Sequence, residues 1–187
     1  MRIIVALVVL ALAGATIWLF NRLVRMHNQV RVAWSDIDVQ LQRRHDLVPM
    51  LVEVVKAYAS HERDLFERIA SERRAAQTAP SPAARGVPET ALGEDLVRLI
   101  AVAEAYPDLK ASGNFRQLSD ELVAVEDAIQ HARRFYNGSV REYNTAIQRF
   151  PALLFARPFG FEPAEFFAAE EDARANVQVA LGAPPSD

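Results

Sequence analysis

From Ile3 to Phe20 the chain reads IIVALVVLALAGATIWLF, about 18 residues without a charge, bracketed by Arg2 and Arg22. Such a run has few fates. A helix crosses the hydrocarbon core of a bilayer with roughly 17–25 apolar residues, so this one is long enough. Trp18 and Phe20 stand at its C-terminal end, where aromatic rings settle at headgroup depth. The competing reading is a cleaved signal peptide, with Ala11-Leu12-Ala13 as its small-residue site. Against it, the apolar run continues past that site through Ile17-Trp18-Leu19-Phe20, and the polar c-region of a signal peptide does not appear. Residues 1–22 are therefore expected to be a retained transmembrane anchor whose partner is membrane lipid. Arg22, Arg25 and Arg31 outnumber Arg2 and the α-amine, so the positive-inside rule puts a short N-terminus outside. The rest of a single-pass cell-membrane protein then lies in the cytoplasm.

Past the anchor the apolar pattern is helical throughout. Leu23, Met26, Val30, Trp34, Ile37, Leu41, Arg44, Val48, Leu51, Val55, Tyr58, Glu62, Leu65 and Ile69 advance in steps of three or four, with a single stutter around Val30. A stripe this narrow needs a partner helix. Run from Arg22 to about Gln77, the helix would be on the order of 80 Å long. Pro49 interrupts it. Either it kinks one long helix, or Asp46 caps a second helix with Pro49 in its first turn. The heptad phase passes through Pro49 unchanged and no Gly or Asn offers a turn there, which favours the kink.

The stretch PSPAARGVP, rich in Pro and Ala, reads as a mobile loop over about 78–89. A shorter helix follows, with Leu92, Leu96, Leu99, Ala103 and Tyr106 on one face and Pro107 at its end. Lys110 to Gly113 makes a turn, and Asn114 with Gln117 resembles a capping box opening the next helix. That helix repeats the seam through Leu118, Leu122, Val125, Ile129, Ala132, Tyr136, Val140, Tyr143, Ile147 and Phe150, until Pro151 stops it. Beyond it, Phe150, Phe155, Phe159, Phe161, Phe166 and Phe167 crowd an irregular stretch that reads as a strap across one end of the bundle. A last short helix is expected from Pro163 to about Arg174, and residues 175–187 are expected to be disordered. The fold class is all-α: a transmembrane helix followed by an antiparallel, four-helix-type bundle of long helices over residues 23–174, with coiled-coil-like seams.

Several of these segments carry a resemblance. Ala33-Trp34, IDVQLQRRHDLVP (Ile37–Pro49), LVEVVKAYASHE (Leu51–Glu62), YPDLKASGNFRQLSDEL (Tyr106–Leu122), ARRFYN (Ala132–Asn137), YNTAIQRFP (Tyr143–Pro151) and FGFEPAEFF (Phe159–Phe167) follow one another as they do in the LemA family of bacterial membrane proteins. The chain resembles that family collinearly from about Arg22 to Arg174. The resemblance implies one N-terminal membrane helix with a small outside N-terminus and a helical bundle; it implies no reaction. Departures fall at Met50, where the family usually has Asn, at Ala57, where Gly is usual, and at Asp127, in place of an Asn.

Few residues invite a chemical role. Arg44 and Glu62 occupy seam positions where an apolar residue is expected. Tyr136-Asn137 and Tyr143-Asn144 repeat at seven residues, with both tyrosines on the seam. The six together are candidates for a buried polar layer, with the asparagines and tyrosines reaching across to Arg44 or Glu62. Such a layer serves bundle specificity more often than ligand binding.

The histidines His27, His45, His61 and His131 offer no metal pattern. A diiron bundle wants Glu-x-x-His on two helices, and the zincin motif begun at His61-Glu62 lacks its second histidine, since Leu65 stands there. With no cysteine, thiolate chemistry is excluded. A net charge of −3 argues against nucleic acid. No catalytic, cofactor or metal residue is expected. The sequence points to a scaffold or protein-interaction module at the membrane, acting on an unknown protein partner or by self-association. The rivals are an oligomeric coiled-coil protein that remodels membranes and an enzyme with its site hidden in the bundle.

Overall fold

The computed structural model describes residues 1–167, and over them every regular element is a helix. The first, α1 (Arg2–Lys56), is 55 residues long and unbroken from the apolar run into the bundle. Pro49 sits inside it and does not end it. A turn over residues 57–62 then leads into α2 (Arg63–Thr78), three residues lead into α3 (Pro82–Glu104), and the short α4 (Pro107–Ala111) precedes α5 (Gly113–Gln148). The five-residue α6 (Ala152–Ala156) follows, and residues 161–166 are irregular.

Three expectations about these elements need correcting. The first seam does not continue as one helix to Gln77. Tyr58 is 46% exposed and Glu62 is half-buried at the N-cap of α2, while Leu65 and Ile69 return to the core. The heptad phase survived the turn by coincidence, because a five- or six-residue turn hides easily in a three–four count. The loop expected over 78–89 is mostly helix. Ser81 accepts a hydrogen bond from the Ala84 amide and Pro82 occupies the first turn, so the proline-rich composition marks a helix start. Pro88 lies farther in and forfeits only one backbone donor. Finally, Ser112 rather than Asn114 is the N-cap of α5, and no side-chain cap bond forms there; Gln117 donates to Glu121 instead.

α1 and α5 run antiparallel. His27 stacks edge-to-face on Tyr143, Trp34 lies against Tyr136, and Arg44 meets Glu126, so each step along α1 is matched by an equal step back along α5. The three-residue connection makes α2 and α3 an antiparallel pair. Leu23, Ile37, Leu41 and Leu51 of α1, Ile69 of α2, Leu92, Leu96 and Leu99 of α3, and Val125, Val140 and Tyr143 of α5 are all buried in one continuous core. The fully buried part of α1 begins at Leu23, with half-buried Leu19 packed against the core one turn earlier. Its preceding apolar stretch is almost wholly uncovered by the protein, and among the described residues α1 is the one helix long and apolar enough to cross a membrane.

The aromatic stretch also differs from its expectation. Gly160 takes φ +78°, a left-handed value that suits glycine, between α6 and the extended segment that follows. That segment does not cross the end of the bundle. It runs back along α5 beside α1, with Phe161 near Phe20 and Phe167 near Trp34. Residues 163–167 are not helical; the remainder of the helix expected to about Arg174, and the tail 175–187, lie outside the described residues.

Candidate functional site

Arg44 enters the core from α1, at a place where the seam calls for an apolar side chain. Its Nη1 donates to Glu126 Oε1 of α5 at 2.6 Å, and its Nη2 donates both to the Glu89 carboxylate and, at 2.9 Å, to the Glu89 carbonyl of α3. One guanidinium thereby ties three helices. Arg85, one turn before Glu89, adds a 3.4 Å contact to Glu89 Oε1 and pairs at 2.5 Å with Asp38 on α1. His45 Nε2 lies 3.0 Å from Glu89 Oε1, and Arg73 of α2 donates to the His45 carbonyl at 2.8 Å. Gly93 lets α3 approach this closely, since a Cβ there would stand 3.3 Å from Arg44 Nη1.

Burial alone would raise the Glu89 carboxyl, which has lost its water. The His45 imidazole and the charge and hydrogen bonds of Arg44 outweigh that effect and hold it below the usual carboxylate value. An ionised carboxylate saturated in this way is a weak proton acceptor. Its physical role is to fix which helix faces meet, because shifting one helix by a turn would strand a buried charge. A second ionic contact, from Arg68 of α2 to Asp95 of α3 at 3.1 Å and from Arg98 to the same carboxylate, pins the α2–α3 pair.

The repeated Tyr-Asn dipeptides do something different. Asn144 Nδ2 donates to the Ala164 carbonyl and its Oδ1 accepts from the Ala164 amide, both at 2.9 Å. Asn137 does the same to Phe167, at 3.1 and 3.0 Å. Tyr143 donates to the Glu162 carbonyl at 2.9 Å and Tyr136 to the Glu165 carbonyl at 2.7 Å. Each asparagine amide thus imitates a neighbouring β-strand, presenting one donor and one acceptor to a single residue. The spacing has a simple cause. Seven residues of α-helix rise about 10.5 Å, and three residues of extended chain cover about 10 Å. A heptad on α5 therefore meets every third residue of the strap, which is why the dipeptide recurs at seven. Burial, with the Glu165 charge adding to it, pushes the Tyr136 hydroxyl up to about 12, and Tyr143 is raised by burial and Glu162. Both remain neutral donors.

The six residues expected to form one polar layer are thus divided. Arg44 belongs to the ionic layer; Tyr136, Asn137, Tyr143 and Asn144 form the ladder that holds the strap; and Glu62 belongs to neither, lying at the turn before α2. Glu89, Glu126 and His45 were missed. Glu89 fell inside the stretch read as a loop, and His45 is adjacent to a seam residue, a position that a strict three–four count skips. The histidines enter separate settings: His27 on Tyr143, His45 on Glu89, His61 in the exposed turn and His131 on the Asp127 carbonyl.

This architecture has relatives. Magnetosome protein MamQ of Magnetospirillum gryphiswaldense is 27% identical over 174 residues, covering 79% of this chain and 64% of that protein. Magnetosome protein MamQ 1 of Paramagnetospirillum magneticum is 27% identical over 193 residues, covering 89% of this chain and 71% of its own length. Protein LemA of Metamycoplasma hominis is 28% identical over 159 residues, covering 84% of this chain and 72% of that protein. The chain therefore spans less than two thirds of the first of these relatives. The family model for the LemA family matches residues 33–181, which takes in the ionic layer and the ladder alike, and the chain belongs to the LemA family.

Proposed function

We propose that the protein is a membrane-anchored scaffold, whose bundle offers long helix faces to protein partners and performs no chemistry of its own. The observation that carries this reading is the continuity of α1: the uncovered apolar run and the first core helix are one helix from Arg2 to Lys56. A bundle built onto its own anchor holds its faces at a set height and raises the effective concentration of whatever binds them. Val32 and Val39 on α1 and Val123 and Phe135 on α5 are exposed apolar side chains suited to such contacts. The reading has the chain cross the membrane once, with the N-terminus outside and the bundle in the cytoplasm.

Photo-crosslinking of the full chain in cells tests it, with the reactive residue at Val39 or Val123 and, as a control, at buried Ile37. Discrete adducts with other proteins at the outward positions and none at Ile37 are expected. No adducts at either outward position, or adducts only with further copies of the chain, would overturn the scaffold reading. A reporter fused at either end, active only on one side of the membrane, checks the orientation; a C-terminal reporter found outside contradicts it.

A further inference from the structure

A second apolar surface lies beside the anchor. After α5 stops at Gln148, the side chains of Phe150, Leu153, Leu154 and Phe159 stand exposed, Phe150 by 80%. Four large apolar residues exposed within ten positions mark a contact surface rather than scattered surface hydrophobes. Their place in the fold says what they contact. α6 and the last turns of α5 form one wall of a groove of about 830 Å³ whose other wall is α1 from Leu12 to Met26. Phe20 of α1 packs edge-to-face on Phe159 and Phe161, with ring centroids 5.4 and 5.6 Å apart. Leu12 lies about 12 Å of helix before Phe20. The run Ile3–Phe20 is itself about 27 Å long, barely the thickness of a bilayer core. A bilayer that takes up the run cannot leave α6 in water, because α6 sits beside its last two to three turns.

The groove is polarised along its length. Its inner end is apolar, at Leu12, Leu154 and Phe155; Arg22, Arg141 and Arg149 line it too, with Glu142 as the one carboxylate. Among the described residues no carboxylate pairs with these three arginines, and Arg22 stacks over Trp18 at 5.7 Å. Apolar wall and cation follow the order of a phospholipid's acyl chain and phosphate.

We propose that residues 150–161 are an embedded foot. It enters the headgroup and upper acyl layer of the leaflet from which α1 emerges, and a phospholipid of that leaflet fills the groove between α6 and α1, its phosphate at Arg22 and Arg149. The proposal rests on reading Ile3–Phe20 as a bilayer span. It gives the bundle two points of attachment, the span and the foot, so the protein is held against rotation and tilt rather than flexing from one stalk.

The chain contains no cysteine, so one introduced cysteine is a unique attachment point. The full chain is reconstituted in vesicles of phosphatidylcholine and phosphatidylglycerol with a nitroxide on Leu154→Cys, Phe159→Cys, Val8→Cys or Val97→Cys. Collision with oxygen, which partitions into the bilayer, is compared with collision with a water-soluble nickel chelate. Circular dichroism confirms that helicity is retained, and the two foot positions guard against one label disturbing its own surroundings. Labels at 8, 154 and 159 are expected to lose collision with the nickel chelate, while the label at 97, an exposed position on α3, keeps it. If 154 and 159 meet the chelate as freely as 97 while 8 is protected, the foot is in water and the proposal falls, with the span intact. If 8 also meets the chelate, the span reading fails and the foot fails with it.

Discussion

Replacing Arg44 with methionine keeps most of the side chain's length and removes its charge from a place that is 2% exposed. What remains is a buried Glu89 carboxylate, a Glu126 carboxylate without its 2.6 Å partner, and one carbonyl that loses its extra donor. A hydrogen bond to an ionised group contributes roughly 1.5–3 kcal/mol. Glu89, buried on every side, takes a value within that range; Glu126 is 30% exposed and recovers water, so its share falls toward the 0–1 kcal/mol of surface pairs. With about 1 kcal/mol for the carbonyl, the loss comes to roughly 2.5–5 kcal/mol, in keeping with the roughly 3–5 kcal/mol found when one partner of a buried ion pair is removed. The assay is urea unfolding of the full chain in a mild detergent, followed by helical circular dichroism. The diagnostic step is the double variant Arg44→Met with Glu89→Gln. It removes a buried carboxylate left with only His45 and the 3.4 Å contact to Arg85, and should be at least about 1 kcal/mol more stable than Arg44→Met alone. A single variant that loses less than about 1 kcal/mol, or a double variant less stable than Arg44→Met, would refute the claim that this guanidinium neutralises the core.

Asn144→Ala removes both bonds to Ala164, leaving a half-buried amide and carbonyl facing a methyl group, and should cost about 1–2 kcal/mol. Hydrogen exchange at the Ala164 amide should speed up while exchange along α5 is unchanged; unaltered exchange at Ala164 would contradict the ladder. Ile37→Ala, at a fully buried seam position, should destabilise by roughly 2–5 kcal/mol, and a loss under about 0.5 kcal/mol would show the α1–α5 seam to be loosely packed. Glu89 has a folded-state pKa below its ordinary 4.5, so the folded protein binds that proton less readily than the unfolded chain. The stability it contributes is fully present above 4.5 and is lost as pH falls through the lower folded-state value. Glu89→Gln should remove that part of the acid slope, and an unchanged slope would assign it to other carboxylates.

The two long seams were legible because burial along a helix imposes a period of three and four. Leu23, Ile37, Leu41, Val48 and Leu51 on α1, and Leu122, Val125, Val140 and Tyr143 on α5, are buried where that period puts them. Composition misled where proline had a second use. Pro82 starts a helix and Pro88 rides inside it, so a stretch that looked like a loop carries Arg85 and Glu89 into the centre of the bundle. Partners of polar seam residues are set by which helices become neighbours, and no local pattern encodes that. Arg44 could be singled out, but its pairing with Glu89 and Glu126 depends on the placement of α3 and α5. The Tyr-Asn repeat was visible as a repeat. Its match to an extended strap was not, because three residues of strap have no periodicity of their own.

The central claim is that the apolar run and the bundle share one rigid helix. Its most direct measurement is the distance between nitroxides on Leu10→Cys and Val39→Cys, both exposed on α1, by pulsed electron resonance in a bilayer. Twenty-nine residues of unbroken helix set them about 44 Å apart. A single narrow population near that distance is expected. A broad or distinctly shorter distribution would mean that α1 bends or breaks where it leaves the apolar run, and the bundle would then hang from the membrane by a hinge.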